Sequence, residues 1–243
     1  AGKRIKKIFS DFSPDLVIGT GGYVTGTVLK TAIKCGIKTA LHESNSLPGV
    51  SVKMLAPKAD LVMLGTEDAK KHLGECKKCV VTGNPLRNNI PIEEKSAARK
   101  RLGLPDCLTI LSAGGSQGAS RLNEAVVQLL AYEQKKGNIN HIHGYGKHGR
   151  DTFMQSLEDN GVDAGDPHFI IKEYIDNMYT CMCASDLIIT RAGAMTLTEI
   201  MAIGRASVLI PYPYAAENHQ YYNALTLQNA NAGRIIDDKE LTG

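Results

Sequence analysis

Residues 186–220 read DLIITRAGAMTLTEIMAIGRASVLIPYPYAAENHQ. The run Leu187-Ile188-Ile189 is short, apolar and β-branched, as expected of a parallel strand covered on both faces. It ends in Arg191-Ala192-Gly193-Ala194, where small side chains let a bound molecule approach the backbone, and Thr196 is expected to open a helix. A second strand over residues 206–210 leads to the polar loop Glu217-Asn218-His219-Gln220. Strand, turn, helix, strand is the repeating unit of α/β folds, and in open sheets of that kind ligands sit outside the carboxyl ends of the strands. Two polar loops leaving one such edge point to a single site. Thr196-Leu197-Thr198-Glu199 itself has two readings. It is a capping box, in which Thr196 and Glu199 satisfy the helix's own orphan donors. Alternatively, first-turn N–H groups meet a ligand phosphate while Glu199 accepts hydrogen bonds from a sugar diol.

The same plan recurs toward the N-terminus. A strand over residues 15–19 ends in Gly19-Thr20-Gly21-Gly22-Tyr23, a helix runs to about Cys35, and a strand over 38–41 is followed by the polar cluster His42-Glu43-Ser44-Asn45. His42 reads as a base or as a hydrogen-bonded structural residue. Strands over 60–64 and 78–82 follow, the second ending in Gly83-Asn84-Pro85-Leu86-Arg87. Arg87 is placed to grip a phosphate or carboxylate bidentately, or is an ordinary surface arginine. The polar stretch 88–94 with Pro91 reads as a linker, separating a first unit, 1–88, from a second, 95–243, with 89–94 between them.

In the second unit a helix over 95–102 and a strand over 108–113 lead to Gly114-Gly115-Ser116-Gln117-Gly118-Ala119, which opens a long helix. Ser116 can hold a phosphate oxygen through its hydroxyl and backbone N–H. The spacing matches neither the Walker loop nor the dinucleotide fingerprint. Strands over 139–143 and 169–175 and helices from 150 and over 177–184 complete the approach to the opening stretch.

Composition narrows the partners. A net charge of +3 over 243 residues, with no basic run interleaved with aromatics, argues against nucleic acid. No apolar run reaches membrane-spanning length and no secretory segment precedes the first unit, so cytoplasmic residence is expected. Six cysteines include Cys76-x-x-Cys79 and Cys181-x-Cys183; the second pair lacks the usual zinc-ligand spacing and no histidine is suitably placed after either, so they read as core or rim thiols. No metal and no cofactor is expected. Ile5, Ile8, Phe9 and Phe12 share a helical face ringed by Lys3, Arg4, Lys6 and Lys7. Such a helix covers a sheet or lies on an anionic membrane surface. The first residue is not methionine and is followed at once by a helical pattern, so a piece of a longer chain is expected.

Six ordered motifs, GTGGYVTG (19–26), HESN (42–45), GNPLR (83–87), GGSQGASRLNE (114–124), RAGAMTLTE (191–199) and PYPYAAENHQYYNA (211–224), together resemble the MurG family of peptidoglycan glycosyltransferases over nearly the whole chain. The resemblance implies a GT-B fold, α/β, with two Rossmann-like parallel-sheet domains facing across a cleft. The N-terminal, acceptor-side domain would be incomplete and the C-terminal, donor-side domain would lack its last helices. It implies metal-independent inverting transfer of N-acetylglucosamine from UDP-N-acetylglucosamine to lipid I, giving lipid II, at the cytoplasmic face of the cell membrane, peripherally bound. A non-catalytic UDP-sugar-binding module and a GT-B epimerase are the alternatives. Carried over by position, Asn45 and Arg87 contact the donor, Ser116 the diphosphate and Ile175 the uracil edge. Ala194, Met195, Thr196, Leu197, Thr198 and Glu199 cradle the nucleotide with Glu199 on the ribose, and Gln220 meets the sugar. The family's proton-transfer histidine would precede residue 1. Ser44 and Ala206 stand where the family commonly has glutamine and proline.

Overall fold

The computed structural model describes residues 1–87 and 90–243; Asn88 and Asn89, and with them the start of the expected linker, lie outside the described residues. The chain divides into two compact units, the first made of residues 1–85 and 214–226, the second of 86–213 and 227–243. Residues 214–226 thus return to the first unit, although the sequence reading assigned 95–243 to the second.

In the first unit the elements are α1 (Gly2–Phe12), β1 (Leu16–Gly19), α2 (Gly22–Lys34), β2 (Lys38–Glu43), α3 (Val50–Leu55), β3 (Leu61–Leu64) and β4 (Cys79–Val81). The four strands are parallel and adjacent in chain order. Leu29 of α2, Leu41 of β2, Leu64 of β3 and Val52 and Leu55 of α3 form the core. Strand β2 runs two residues past its expected end, so His42 and Glu43 are ladder members opposite Met63 and Leu64, buried rather than gathered in a loop. A buried carboxylate needs donors. Glu43 accepts the Asn45 N–H at 2.9 Å, the Asn45 side-chain amide at 3.0 Å and the Gly49 N–H at 2.9 Å. His42 Nε2 lies 3.2 Å from the Gly83 carbonyl, so His42 is a hydrogen-bonded structural residue. At the sheet edge, Leu16 and Ile18 of β1 are 49% and 57% exposed.

The second unit contains α4 (Lys95–Leu102), β5 (Leu108–Ala113), α5 (Ser120–Lys136), β6 (Ile139–Gly144), α6 (Phe153–Asp159), β7 (Phe169–Lys172), α7 (Met178–Ala184), β8 (Leu187–Thr190), α8 (Ala194–Ile203) and β9 (Ala206–Leu209). Helix α9 (His219–Asn229) then begins among residues of the first unit, and β10 (Gly233–Ile235), a strand the sequence reading missed, closes the second sheet. That sheet is parallel throughout, in the order β10-β9-β8-β5-β6-β7. Leu122, Val126, Val127 and Leu130 make one stripe of α5 and pack with Phe153 and Leu157 of α6.

Strand order reverses between β5 and β8, whose last residues, Ala113 and Thr190, are paired. The chain leaves β5 toward β6 and β7, then crosses back to lay β8, β9 and β10 on the other side. The connections diverge above that point, which opens a crevice at the carboxyl ends of the strands. Strand β7 stops at Lys172, three residues before its expected end, and Glu173-Tyr174-Ile175 leaves the ladder.

Candidate functional site

At that crevice the second unit has a cavity of about 280 Å³. Its lining comes from the end of β5 (Ala113, Gly115, Ser116), the end of β6 (Gly144), the stretch after β7 (Glu173–Asp176, Met178, Tyr179), Glu199 of α8, and Arg87. Four residues singled out in the sequence, Arg87, Ser116, Ile175 and Glu199, therefore meet in one pocket although up to 112 positions separate them.

The glycine loop after β5 is held by backbone contacts. The Gln117 carbonyl accepts the His148 N–H at 2.8 Å, and the Gly146 N–H reaches the Glu173 carbonyl at 2.9 Å, which ties three strand ends together. Gly118 has φ +84°, and a Cβ there would sit 2.2 Å from the Tyr145 carbonyl oxygen. Only glycine fits that position. The loop thereby presents Ser116 to the cavity and leads into α5, a 17-residue helix with no side-chain cap at its N-terminus. Unsatisfied N–H groups and the helix dipole favour an anion there.

Arg87 is exposed on the rim and, among the described residues, has no ion-pair partner. Glu173 also lines the cavity and would repel an anion. Its carboxylate takes a two-point grip from Arg150, Nε to Oε2 at 2.8 Å and Nη2 to Oε1 at 2.7 Å. That hydrogen bonding holds its pKa below the usual carboxylate value.

Helix α8 corrects the capping-box reading. It begins at Ala194, not Thr196; Gly193 is the N-cap, and no side chain caps the end. A box needs its threonine outside the first turn, and Thr196 is two residues inside. The first-turn N–H groups are thus uncapped, and the Glu199 carboxylate accepts the Tyr179 hydroxyl at 2.8 Å. Within the turn, Met195 is exposed, Leu197 is buried in the core and the Thr198 hydroxyl donates to the Ala194 carbonyl at 2.8 Å. Ala194 to Thr198 are not among the residues lining the cavity; Glu199 is.

Asn45 and Gln220 belong to the first unit. Asn45 lines a separate cavity of about 230 Å³ there, with Gly21, Gly22, Glu43 and Glu217. Its side chain is engaged at both ends, donating to Glu43 at 3.0 Å and accepting from Asn223 at 3.0 Å. Gln220 sits in the first turn of α9 rather than in a loop.

Sequence reasoning missed two features. Tyr179 falls at the start of an apolar helix, and nothing in its neighbourhood marks it until the fold brings α7 against Glu199. The second is a buried chain directly behind the cavity. Glu133 Oε2 to His141 Nδ1 is 2.8 Å, His141 Nε2 to Ser112 Oγ 2.7 Å, and Ser112 Oγ to His143 Nδ1 2.7 Å. Ser112 and His143 each precede a cavity residue, Ala113 and Gly144, on neighbouring strands. Burial, then the neighbouring His141, pushes the His143 pKa down to about 3. The polar residues Asn140, His141 and His143 within the short strand INHIHG were the only sign, and they read equally as those of a half-exposed strand.

Two parallel-sheet α/β units, one carrying an anion-favouring cavity at its topological switch point, define a protein of the GT-B glycosyltransferase type. Family models agree: residues 109–243 match the glycosyltransferase family 28 C-terminal domain and residues 1–64 the glycosyltransferase family 28 N-terminal domain. The chain belongs to glycosyltransferase family 28. It is 41% identical over 240 residues to a UDP-N-acetylglucosamine–N-acetylmuramyl-(pentapeptide) pyrophosphoryl-undecaprenol N-acetylglucosamine transferase of Desulforamulus reducens, covering 97% of this chain and 64% of that protein. A transferase of the same name from Desulfitobacterium hafniense is 42% identical over 239 residues, covering 98% of this chain and 65% of that protein. The crystal structure of Acinetobacter baumannii MurG is similar with a TM-score of 0.78 at 28% identity, covering 100% of this chain and 65% of that one. The chain thus spans a little under two thirds of the length of these relatives.

Proposed function

We propose that the second unit binds UDP-N-acetylglucosamine and that the protein transfers its N-acetylglucosamine to the lipid-linked muramyl-pentapeptide lipid I, making lipid II. The observation that carries this is the convergence of Arg87, Ser116, Ile175 and Glu199 on the switch-point cavity. In this reading the diphosphate lies against Ser116 and the N-terminus of α5, with Arg87 over it; the uracil edge meets the backbone of Ile175; and Glu199 takes the ribose hydroxyls. The uncapped first turn of α8, Ala194 to Thr198, contributes backbone rather than side chains.

The reaction is an inverting displacement in which the acceptor hydroxyl attacks the anomeric carbon and UDP departs. Charge grows on the diphosphate as the bond breaks, so fixed donors aimed there lower the barrier. Arg87, Ser116 and the α5 dipole supply them without a metal or cofactor. No helix among the described residues is long and apolar enough to cross a membrane. Helix α1, with Ile8 and Phe12 53% and 78% exposed beside Lys3, Arg4, Lys6 and Lys7, suits peripheral attachment to the anionic cytoplasmic face, where the acceptor resides. Nucleic acid has no part in this reading.

Calorimetric titration with UDP-N-acetylglucosamine, with UDP-glucose as control, tests the donor half. Saturable binding that prefers the N-acetylated sugar and is lost in Glu199→Ala supports it, and no binding by folded protein sinks it. Labelled N-acetylglucosamine appearing in lipid II tests the transfer.

A further inference from the structure

We infer that Tyr179 is a positioning residue for nucleotide recognition: its hydroxyl occupies one oxygen of the Glu199 carboxylate and presents the other to a vicinal ribose diol. This rests on the reading of the switch-point cavity as a UDP-sugar site.

Both side chains line that cavity, from different helices, and the phenol oxygen lies 2.8 Å from Glu199 Oε1. Among the described residues this is the one side-chain hydrogen bond that the Glu199 carboxylate accepts, at Oε1, and Oε2 is left for a ligand in the cavity that Glu199 lines. A lone glutamate has three rotatable bonds and samples many orientations; a tyrosine has two and is stiff. Tyr179 therefore fixes the carboxylate before a ligand arrives, so less freedom is lost on binding. The direction of the bond matters as well. Burial, then the hydrogen bond to Glu199, raises the Tyr179 pKa above its ordinary value of 10.0. The hydroxyl stays protonated at physiological pH and donates, and the carboxylate remains an acceptor with lone pairs to spare. A cis-diol offers two O–H donors and matches that remainder. A 2′-deoxyribose offers one, and a 2′-phosphate would bring repulsion. Tyr179 and Ile175 also lie four residues apart in one stretch after β7, so base and ribose contacts are set by a single piece of backbone.

The test is a double-mutant cycle. UDP and 2′-deoxy-UDP are titrated against the chain, Tyr179→Phe, Glu199→Ala and the double variant, with melting curves to show that each is folded. Tyr179→Phe removes a single oxygen. It is expected to weaken UDP about tenfold, the size of one charged hydrogen bond, and 2′-deoxy-UDP by less than about threefold. In the Glu199→Ala background, Tyr179→Phe is expected to change nothing further. Equal weakening of both nucleotides, full additivity in the double variant, or no effect of Tyr179→Phe while Glu199→Ala abolishes the preference for UDP would overturn the positioning role and leave the donor-site reading standing. Absence of UDP binding by the unaltered chain, or indifference to Glu199→Ala, overturns that reading and this inference with it.

Discussion

Arg191 and Asp238 form an ion pair within the second unit, each side chain 13% exposed, which ties the turn after β8 to the segment beyond β10. The same guanidinium donates to the carbonyls of Ile210 and Pro211 at 3.3 and 3.4 Å and lies over the Tyr212 ring. One arginine thus clamps the backbone from which α8 springs. Replacing Asp238 by Ala leaves that charge largely buried without its partner and is expected to cost about 3 kcal/mol. Chemical denaturation of the variant beside Arg191→Lys, which keeps charge but loses the planar fork, checks it; a loss under 1 kcal/mol in Asp238→Ala would contradict the clamp.

The buried histidine behind the cavity makes stability depend on acid. Burial lowers the His143 pKa from 6.5 to about 3, so the folded state excludes a proton that the unfolded chain accepts. The contribution is intact above about pH 6.5 and is lost progressively as pH falls toward 3. Between pH 7 and pH 5 this amounts to roughly 2 kcal/mol. Urea melts at the two pH values should show that loss, and His143→Leu should show a smaller one. Identical pH dependence in both proteins would refute the assignment.

Two glycines of one loop should respond unequally to alanine. Gly115 has φ +88° with open space around its Cβ direction, so alanine costs only the strain of a left-handed residue, about 1 kcal/mol. Gly118 has a similar angle but faces a carbonyl oxygen at 2.2 Å. Gly118→Ala must displace backbone, and it is expected to cost more than about 3 kcal/mol and to abolish UDP-sugar binding. Thermal melts and nucleotide titration of the pair distinguish geometry from generic glycine loss.

Helix α1 buries none of its residues, so its polar ring can be altered without touching a core. Changing Lys3, Arg4, Lys6 and Lys7 to Gln should leave the melting point unchanged. Binding to vesicles containing anionic lipid should fall by two orders of magnitude or more, on the order of 1 kcal/mol per charge. Vesicle sedimentation at low and high salt reads this out. Unchanged partitioning would remove α1 from the membrane reading.

What was legible beforehand follows from range. Strands such as Leu108–Ala113 and helices such as Lys95–Leu102 declare themselves through local apolar pattern, and both have the expected bounds. The glycine turn at 114–118 was legible as a strand-to-helix junction because small residues at a strand end have few other reasons to occur together. Glu199 was visible, but the capping part of its motif was not decidable, since Thr-x-x-Glu has the same letters whether it begins a helix or lies inside one; α8 starts two residues earlier. Tyr179 and the chain through Ser112 were not visible. Their partners lie between 8 and 31 positions away and are brought close only by strand order and helix packing. Strand β10 escaped because three residues with Arg234 at the centre carry no period.

The return of residues 214–226 to the first unit sets an order of assembly. Asn223 accepts the Ser46 N–H at 2.8 Å and Thr226 meets the Ser46 hydroxyl at 2.9 Å, so a loop made early is completed by a helix made late. A chain emerging from the ribosome cannot finish its N-terminal unit first, as most multidomain proteins do. That unit waits, with the Ser46 N–H lacking its acceptor, until most of the second sheet has been synthesised, and a single cut near residue 88 would yield a fragment permanently lacking its last helix.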